Sequence, residues 1–86
     1  MRNFDNIWEN IVINEGNVFK TITGLEFTYR VDSNFIIPNR TEYNISRADI
    51  EKAYNLLPLT GPGEINDIVR GPSYVWAILN DKRINK

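Results

Sequence analysis

Apolar residues recur along the first third of the chain with two different periods, and the change of period marks the first boundary between elements. Phe4, Ile7, Trp8 and Ile11 stand at i, i+3, i+4 and i+7, interleaved with Asp5, Asn6, Glu9 and Asn10, a pattern that predicts an amphipathic helix. Asn3 is placed to cap it, and Asp5 lies in the first turn, where the helix dipole favours a negative charge. Gly16 predicts a left-handed stop. Beyond Asn17 the period becomes two: Leu25, Phe27, Tyr29 and Val31 alternate with Glu26, Thr28, Arg30 and Asp32, as in a half-buried strand. The strand formers from Val18 to Thr23 precede it, with Gly24 as the turn. Asp32-Ser33-Asn34 predicts a second turn, and Phe35-Ile36-Ile37 a third strand ended by Pro38. Connections this short imply a three-stranded antiparallel meander whose apolar face needs helices to cover it.

The helical period returns after residue 45. Ser46 followed by Asp49 resembles a capping box, and Ile45 and Ile50 are spaced as a hydrophobic staple around it. Ile50, Ala53, Tyr54 and Leu57 then form one stripe, and Pro58 ends the element. Leu59 to Gly63 reads as a loop, Glu64 to Val69 as a short helix closed near Gly71. Tyr74 to Leu79 is apolar throughout, which suits a buried strand or a buried helix. Pro72 after Gly71, or Ser73 as a cap, favours helix. The expected fold is α+β, a single small domain over residues 1–86: an N-terminal helix, the three-stranded meander, then two to three helices packed on one sheet face.

Composition narrows the chemistry more than it narrows the fold. The 86 residues include no cysteine, histidine or glutamine, so disulfides and the usual Cys/His zinc sites are excluded. Ser-His-Asp, Cys-His and His-metal catalysis each lack a required residue type. Catalysis would have to rest on carboxylate, Lys or Tyr, and no motif announces it, so the chain is expected not to be an enzyme and to need no cofactor or metal. No apolar run approaches the ~20 residues that span a bilayer, and no leader pattern opens the chain, which gives the expectation of a cytoplasmic protein without a membrane partner. Twelve Asn and twelve Ile point to an AT-rich coding genome, as in a low-GC bacterium or its phage.

The polar residues that remain organised sit at helix starts. From Asn39 to Arg47 the chain enters a capped helix, whose free N–H groups and dipole attract anions. Arg40 and Arg47 are spaced to flank a phosphate there, with Tyr43 available to stack and Asn44 to contact a base edge. Glu42 and Asp49 weaken that field, and an ordinary capped helix after a polar loop accounts for the same residues. Arg70 and Ser73, at the second expected helix start, would join the first site if the fold brought them together; otherwise Gly71 and Pro72 simply redirect the chain. Tyr74 and Trp76 are candidates for an interface. If Val75, Ile78 and Leu79 face inward on a helix, Trp76 turns toward Asn80 and Arg83, and a tryptophan beside an arginine is a common interface anchor. Burial in the chain's own core is the plainer account of it.

Ten basic against eleven acidic side chains leave a net charge of −1, an unfavourable balance for phosphate-driven affinity. Two readings of a binding module follow. One is nucleic-acid (DNA or RNA) binding through the basic helix starts, marginally favoured by the concentration of Arg, Asn, Tyr and Ser from Asn39 to Arg47. The other is a protein-interaction module, a homodimer or an accessory subunit of a bacterial or phage complex, using Tyr74–Leu79. A clustered basic face would support the first, and an evenly spread one would count against it.

Overall fold

The computed structural model describes residues 4–86, and the expected Asn3 cap lies outside the described residues. Helix α1 (Phe4–Ile13) buries Phe4, Ile7, Trp8 and Ile11, the four positions of the helical stripe. Strands β1 (Phe19–Lys20), β2 (Glu26–Phe27), β3 (Tyr29–Asp32), β4 (Phe35–Pro38) and β5 (Ile45–Ser46) follow, then α2 (Arg47–Tyr54), a 3₁₀ turn at Pro62–Ile65 and α3 (Pro72–Leu79). The class is α+β, with three α-helices and two antiparallel sheets among the described residues.

The strands are not one meander. β1 pairs with β2 in a two-stranded sheet, while β3, β4 and β5 form a separate three-stranded sheet in that order. The single strand expected across Leu25–Val31 changes partner at Thr28. There the main chain bonds to Asn39, whose Oδ1 accepts from the Thr28 N–H and whose N–H donates to the Thr28 carbonyl, both at 2.9 Å. Residues before Thr28 therefore pair with β1 and residues after it with β4. The third strand of the larger sheet comes from Ile45–Ser46, which the sequence placed in the approach to a helix; Phe35 pairs with Ser46 and Ile36 with Ile45.

The two hairpin turns have clear local causes. Thr21 to Gly24 closes with the Gly24 N–H on the Thr21 carbonyl at 2.9 Å, and Gly24 takes a φ of +89°. This is the three-residue hairpin with a left-handed glycine. Ser33-Asn34 joins β3 to β4 with a positive φ of 55° at Ser33, the sign required at the first central residue of a type II′ turn.

The core lies where α1, α2 and α3 meet the buried faces of both sheets, with Tyr29, Phe19, Phe27, Ile36, Ile45, Ile50 and Leu79 essentially inaccessible. Ser46 Oγ accepts from the Asp49 N–H at 3.1 Å, and both staple residues, Ile45 and Ile50, are fully buried. The short helix expected at Glu64–Val69 starts earlier and is tighter. Pro62 supplies its first residue with the φ already set, and it ends at Ile65. The Ile68 and Val69 N–H groups both turn back to the Ile65 carbonyl. The apolar run Tyr74–Leu79 lies in α3, with Gly71 left-handed at its N-cap and Pro72 in its first turn.

Candidate functional site

The first expected site divides between two parts of the molecule. Arg47 turns toward α1: its guanidinium pairs with Asp5 and stands 5.6 Å from the ring centroids of both Phe4 and Trp8. At the α2 N-terminus behind it, Ser46 accepts from the Asp49 N–H and the Asn34 carbonyl from the Arg47 N–H, with Asp49 in the first turn supplying the negative charge that the dipole favours. Arg40 Nε donates to the Glu26 carbonyl at 2.6 Å, tying the loop after β4 to β2. Asn44 is exposed.

Tyr43 goes the other way, to the second site. The Arg70 guanidinium lies 5.3 Å from the centroid of its ring, and the phenol packs on Gly71, where a Cβ would come within 3.1 Å of Tyr43 Oη. Ser73 and Tyr74 follow in the first turn of α3, and the Tyr74 ring packs edge-on against Phe27 at 4.9 Å. Tyr43, Arg70, Ser73 and Tyr74 are thus gathered at one end of α3, with Arg40 held one residue from Phe27. The helix end itself offers little to an anion. Pro72 has no N–H, and the Tyr74 and Val75 N–H groups both donate to the Gly71 carbonyl at 3.1 Å, leaving Ser73 as the one unengaged main-chain donor of that turn.

At the opposite end of α3 lies an open cleft of about 390 Å³, lined by Val18, Phe19, Lys20, Trp76, Ala77, Asn80, Asp81 and Arg83. Val75, Ala77, Ile78 and Leu79 spend the inward face of the helix on the core, and Trp76 is left half-buried on the cleft wall. Asn80 and Arg83 share that wall, as the helical projection of the sequence had them. The indole Nε1–H of Trp76 is buried and meets no acceptor among the described residues.

Arg83 is the most constrained cation of the described residues. Asp81 takes it through both carboxylate oxygens at 2.9 Å, its Nη2 also donates to the Val18 carbonyl at 2.8 Å, and its plane lies 4.1 Å from the Phe19 ring centroid. These hydrogen bonds hold the Asp81 carboxyl below the usual carboxylate range and push the Arg83 guanidinium further up. A fork fixed in this way loses little conformational freedom on meeting a ligand.

Val18 and Lys20 were not singled out in the sequence, because their alternation with buried Phe19 spans too few residues to register. Val18 is 51 % exposed and lines the cleft together with Trp76. Among the described residues no group of three or more metal-ligating side chains gathers, and no helix is long and apolar enough to cross a membrane. Comparison of the chain with protein-family models, with curated proteins and with solved structures finds no match.

Proposed function

We propose that this chain is a binding module, acting without catalysis, that engages another protein through the cleft between β1 and α3. The observation that carries this reading is Trp76: a large aromatic on a surface cleft, beside an arginine already fixed by side-chain hydrogen bonds to two groups of its own chain, the Asp81 carboxylate and the Val18 carbonyl. Tryptophan and arginine are the residue types on which interface energy concentrates once a partner excludes water from them. The net charge of −1 does not oppose a protein partner.

A photo-crosslinking amino acid in place of Val18 tests the reading inside the source cell. One discrete adduct is expected, absent when the same group replaces Leu56, exposed and outside the cleft lining, and weakened by Trp76→Phe. An adduct of twice the chain mass identifies the partner as a second copy; a smear equal at both positions overturns the reading.

A second reading, nucleic-acid contact at the other end of α3, is favoured by one observation: Tyr43 and Arg70, far apart in sequence, stack on each other beside Ser73. It draws on Arg40, Tyr43, Arg70 and Ser73, while Arg47 is engaged by Asp5 and contributes elsewhere. An amide-shift titration at low salt with short duplex and single-stranded DNA tests it. Shifts confined to Tyr43, Arg70 and Ser73 and lost in Arg70→Ala support it, and an unperturbed spectrum removes it.

A further inference from the structure

The cleft has a feature beyond its apolar wall, a short stretch of open sheet edge. In the β1–β2 hairpin Phe19 faces Phe27 and Lys20 faces Glu26, and the Thr21 N–H donates to the Leu25 carbonyl at 2.9 Å. Hydrogen-bonded pairs alternate along an antiparallel ladder, so Thr21 and Phe19 direct their main-chain groups to β2, while Lys20 and Val18 direct theirs to the outer edge. The Val18 carbonyl meets Arg83 Nη2 there at 2.8 Å, which puts the outer edge on the cleft side, since Arg83 lines the cleft. The N–H and carbonyl of Lys20, two residues on and pointing the same way, take no partner among the described residues.

We infer that an extended acidic segment of another protein adds as a strand at the Lys20 edge of β1, placing an apolar side chain in the cleft against Trp76 and Ala77. This rests on the protein-binding reading above and specifies its partner. The side-chain pattern follows from strand alternation. Phe19 points to the buried face of β1, where Arg83 lies over its ring, and Lys20 to the exposed face, so a partner residue directly across from Lys20 shares that exposed face and its two neighbours point to the side of the strand on which Arg83 lies. A carboxylate is the favourable group opposite Lys20, and apolar groups are favourable on either side of it. The recognised pattern is therefore apolar–acidic–apolar. Main-chain bonds at Lys20 and the Trp76 pocket together supply affinity and selectivity in the manner of strand addition.

Charge also decides against a second copy as the occupant. Pairing two β1 edges about a two-fold axis would set Lys20 close to Lys20 of the other chain, a like-charge contact that edge lysines commonly use to prevent self-association. An acidic strand relieves the repulsion that a copy would create.

The test is selection from a display library of random nonapeptides on the immobilised whole chain, followed by hydrogen exchange with a synthetic peptide of the enriched sequence. Expected is enrichment of an acidic residue flanked by apolar ones, with Lys20 amide exchange slowed at least ~10-fold on binding, a factor equivalent to ~1.4 kcal/mol. Lys20→Glu, at an exposed position that leaves the core untouched, should weaken that peptide by ~10-fold or more, and replacing the peptide's acid by lysine should restore binding to the variant. Enriched peptides that perturb Trp76 fluorescence but leave Lys20 exchange unchanged, or that lack the acid, overturn the strand-addition inference and spare the broader reading. No enrichment over Trp76→Ala overturns both.

Discussion

The phenol of Tyr29 donates to the main-chain carbonyl of Ile11 at 2.5 Å, with both residues fully buried. Ile11 sits in the last turn of α1, where a helix leaves its carbonyls without intrahelical donors, so a side chain from the sheet completes the helix end. Burial raises the Tyr29 pKa far above the ordinary tyrosine value, the nearby Arg83 cation offsetting only part of that rise. Tyr29→Phe keeps the ring packed on Phe19 and strands the Ile11 carbonyl, an expected loss of about 1–3 kcal/mol in urea unfolding. In the native protein Tyr29 should stay protonated while an unfolded tyrosine ionises near ~10. Its contribution is complete below that pH and declines as pH rises above it, so an absorbance titration should show the Tyr29 phenol ionising only with alkaline unfolding. Its disappearance from that phase in Tyr29→Phe identifies the group.

Gly71 answers to two constraints at once. Its φ is +64°, and a Cβ there would lie 2.9 Å from Ile45 Cδ1 and 3.1 Å from Tyr43 Oη. Gly71→Ala is expected to destabilise by about 1–2 kcal/mol from the left-handed backbone alone, and to displace Tyr43 from beneath Arg70. Ser33 provides the reverse case: its positive φ is relieved in Ser33→Gly, which should be neutral or slightly stabilising. Thermal melts of the two variants should move in opposite directions, or Ser33→Gly should not move at all.

Arg47 has the chemistry of a ligand-binding residue and the surroundings of a structural one. Its ion pair with Asp5 and its position over Phe4 and Trp8 join α2 to α1. Arg47→Ala should cost about 1 kcal/mol or less for the partly exposed pair, with a further ~0.5–1 kcal/mol from the ring contacts, and should shift Trp8 fluorescence. A double-mutant cycle with Asp5→Ala separates the two contributions. Arg47→Ala should leave any affinity at the Tyr43–Arg70 end unchanged, whereas Arg70→Ala acts on that end directly.

Local signals carried the helices well. The stripe Phe4, Ile7, Trp8, Ile11 and the Ser46 cap each depend on residues within two turns of one another, and both appear where their spacing puts them. The sheets were less legible because strand pairing is non-local. Alternation from Leu25 to Val31 runs on through Thr28 without a break, while the event that splits it is a pair of hydrogen bonds to Asn39, eleven residues away. Ile45–Ser46 showed its capping role and concealed its ladder role, since two residues are too few to display a period. At the candidate site, the helical projection was enough to put Trp76 beside Asn80 and Arg83. Nothing local could announce that β1 would close the other wall, or that Arg47 and Tyr43, four residues apart, would turn to different partners, Arg47 to α1 and Tyr43 to Arg70.

Asp81 gives the cleft a dependence on acid. Its hydrogen bonds with Arg83 depress its pKa in the folded chain, and an unfolded aspartate titrates near ~3.9, so the unfolded chain takes up the proton more readily as pH falls. The stabilisation is complete above the unfolded value and is lost as pH falls through the folded one. Asp81→Asn removes this proton-linked step, so the stability gap between the two proteins, measured by urea unfolding, should be widest near neutral pH and shrink below ~4. Glu64, held low by its bonds from Thr60, is common to both proteins and cancels from the difference. Because Asp81 also holds Arg83 against Val18 and Phe19, the same protonation should free the guanidinium. Arg83 Nε resonances that sharpen and shift in the wild type as acid is added, and that are already shifted at neutral pH in Asp81→Asn, are the expected signature. Identical Arg83 spectra in the two proteins at neutral pH would show that Phe19 and the Val18 carbonyl alone hold the arginine in place.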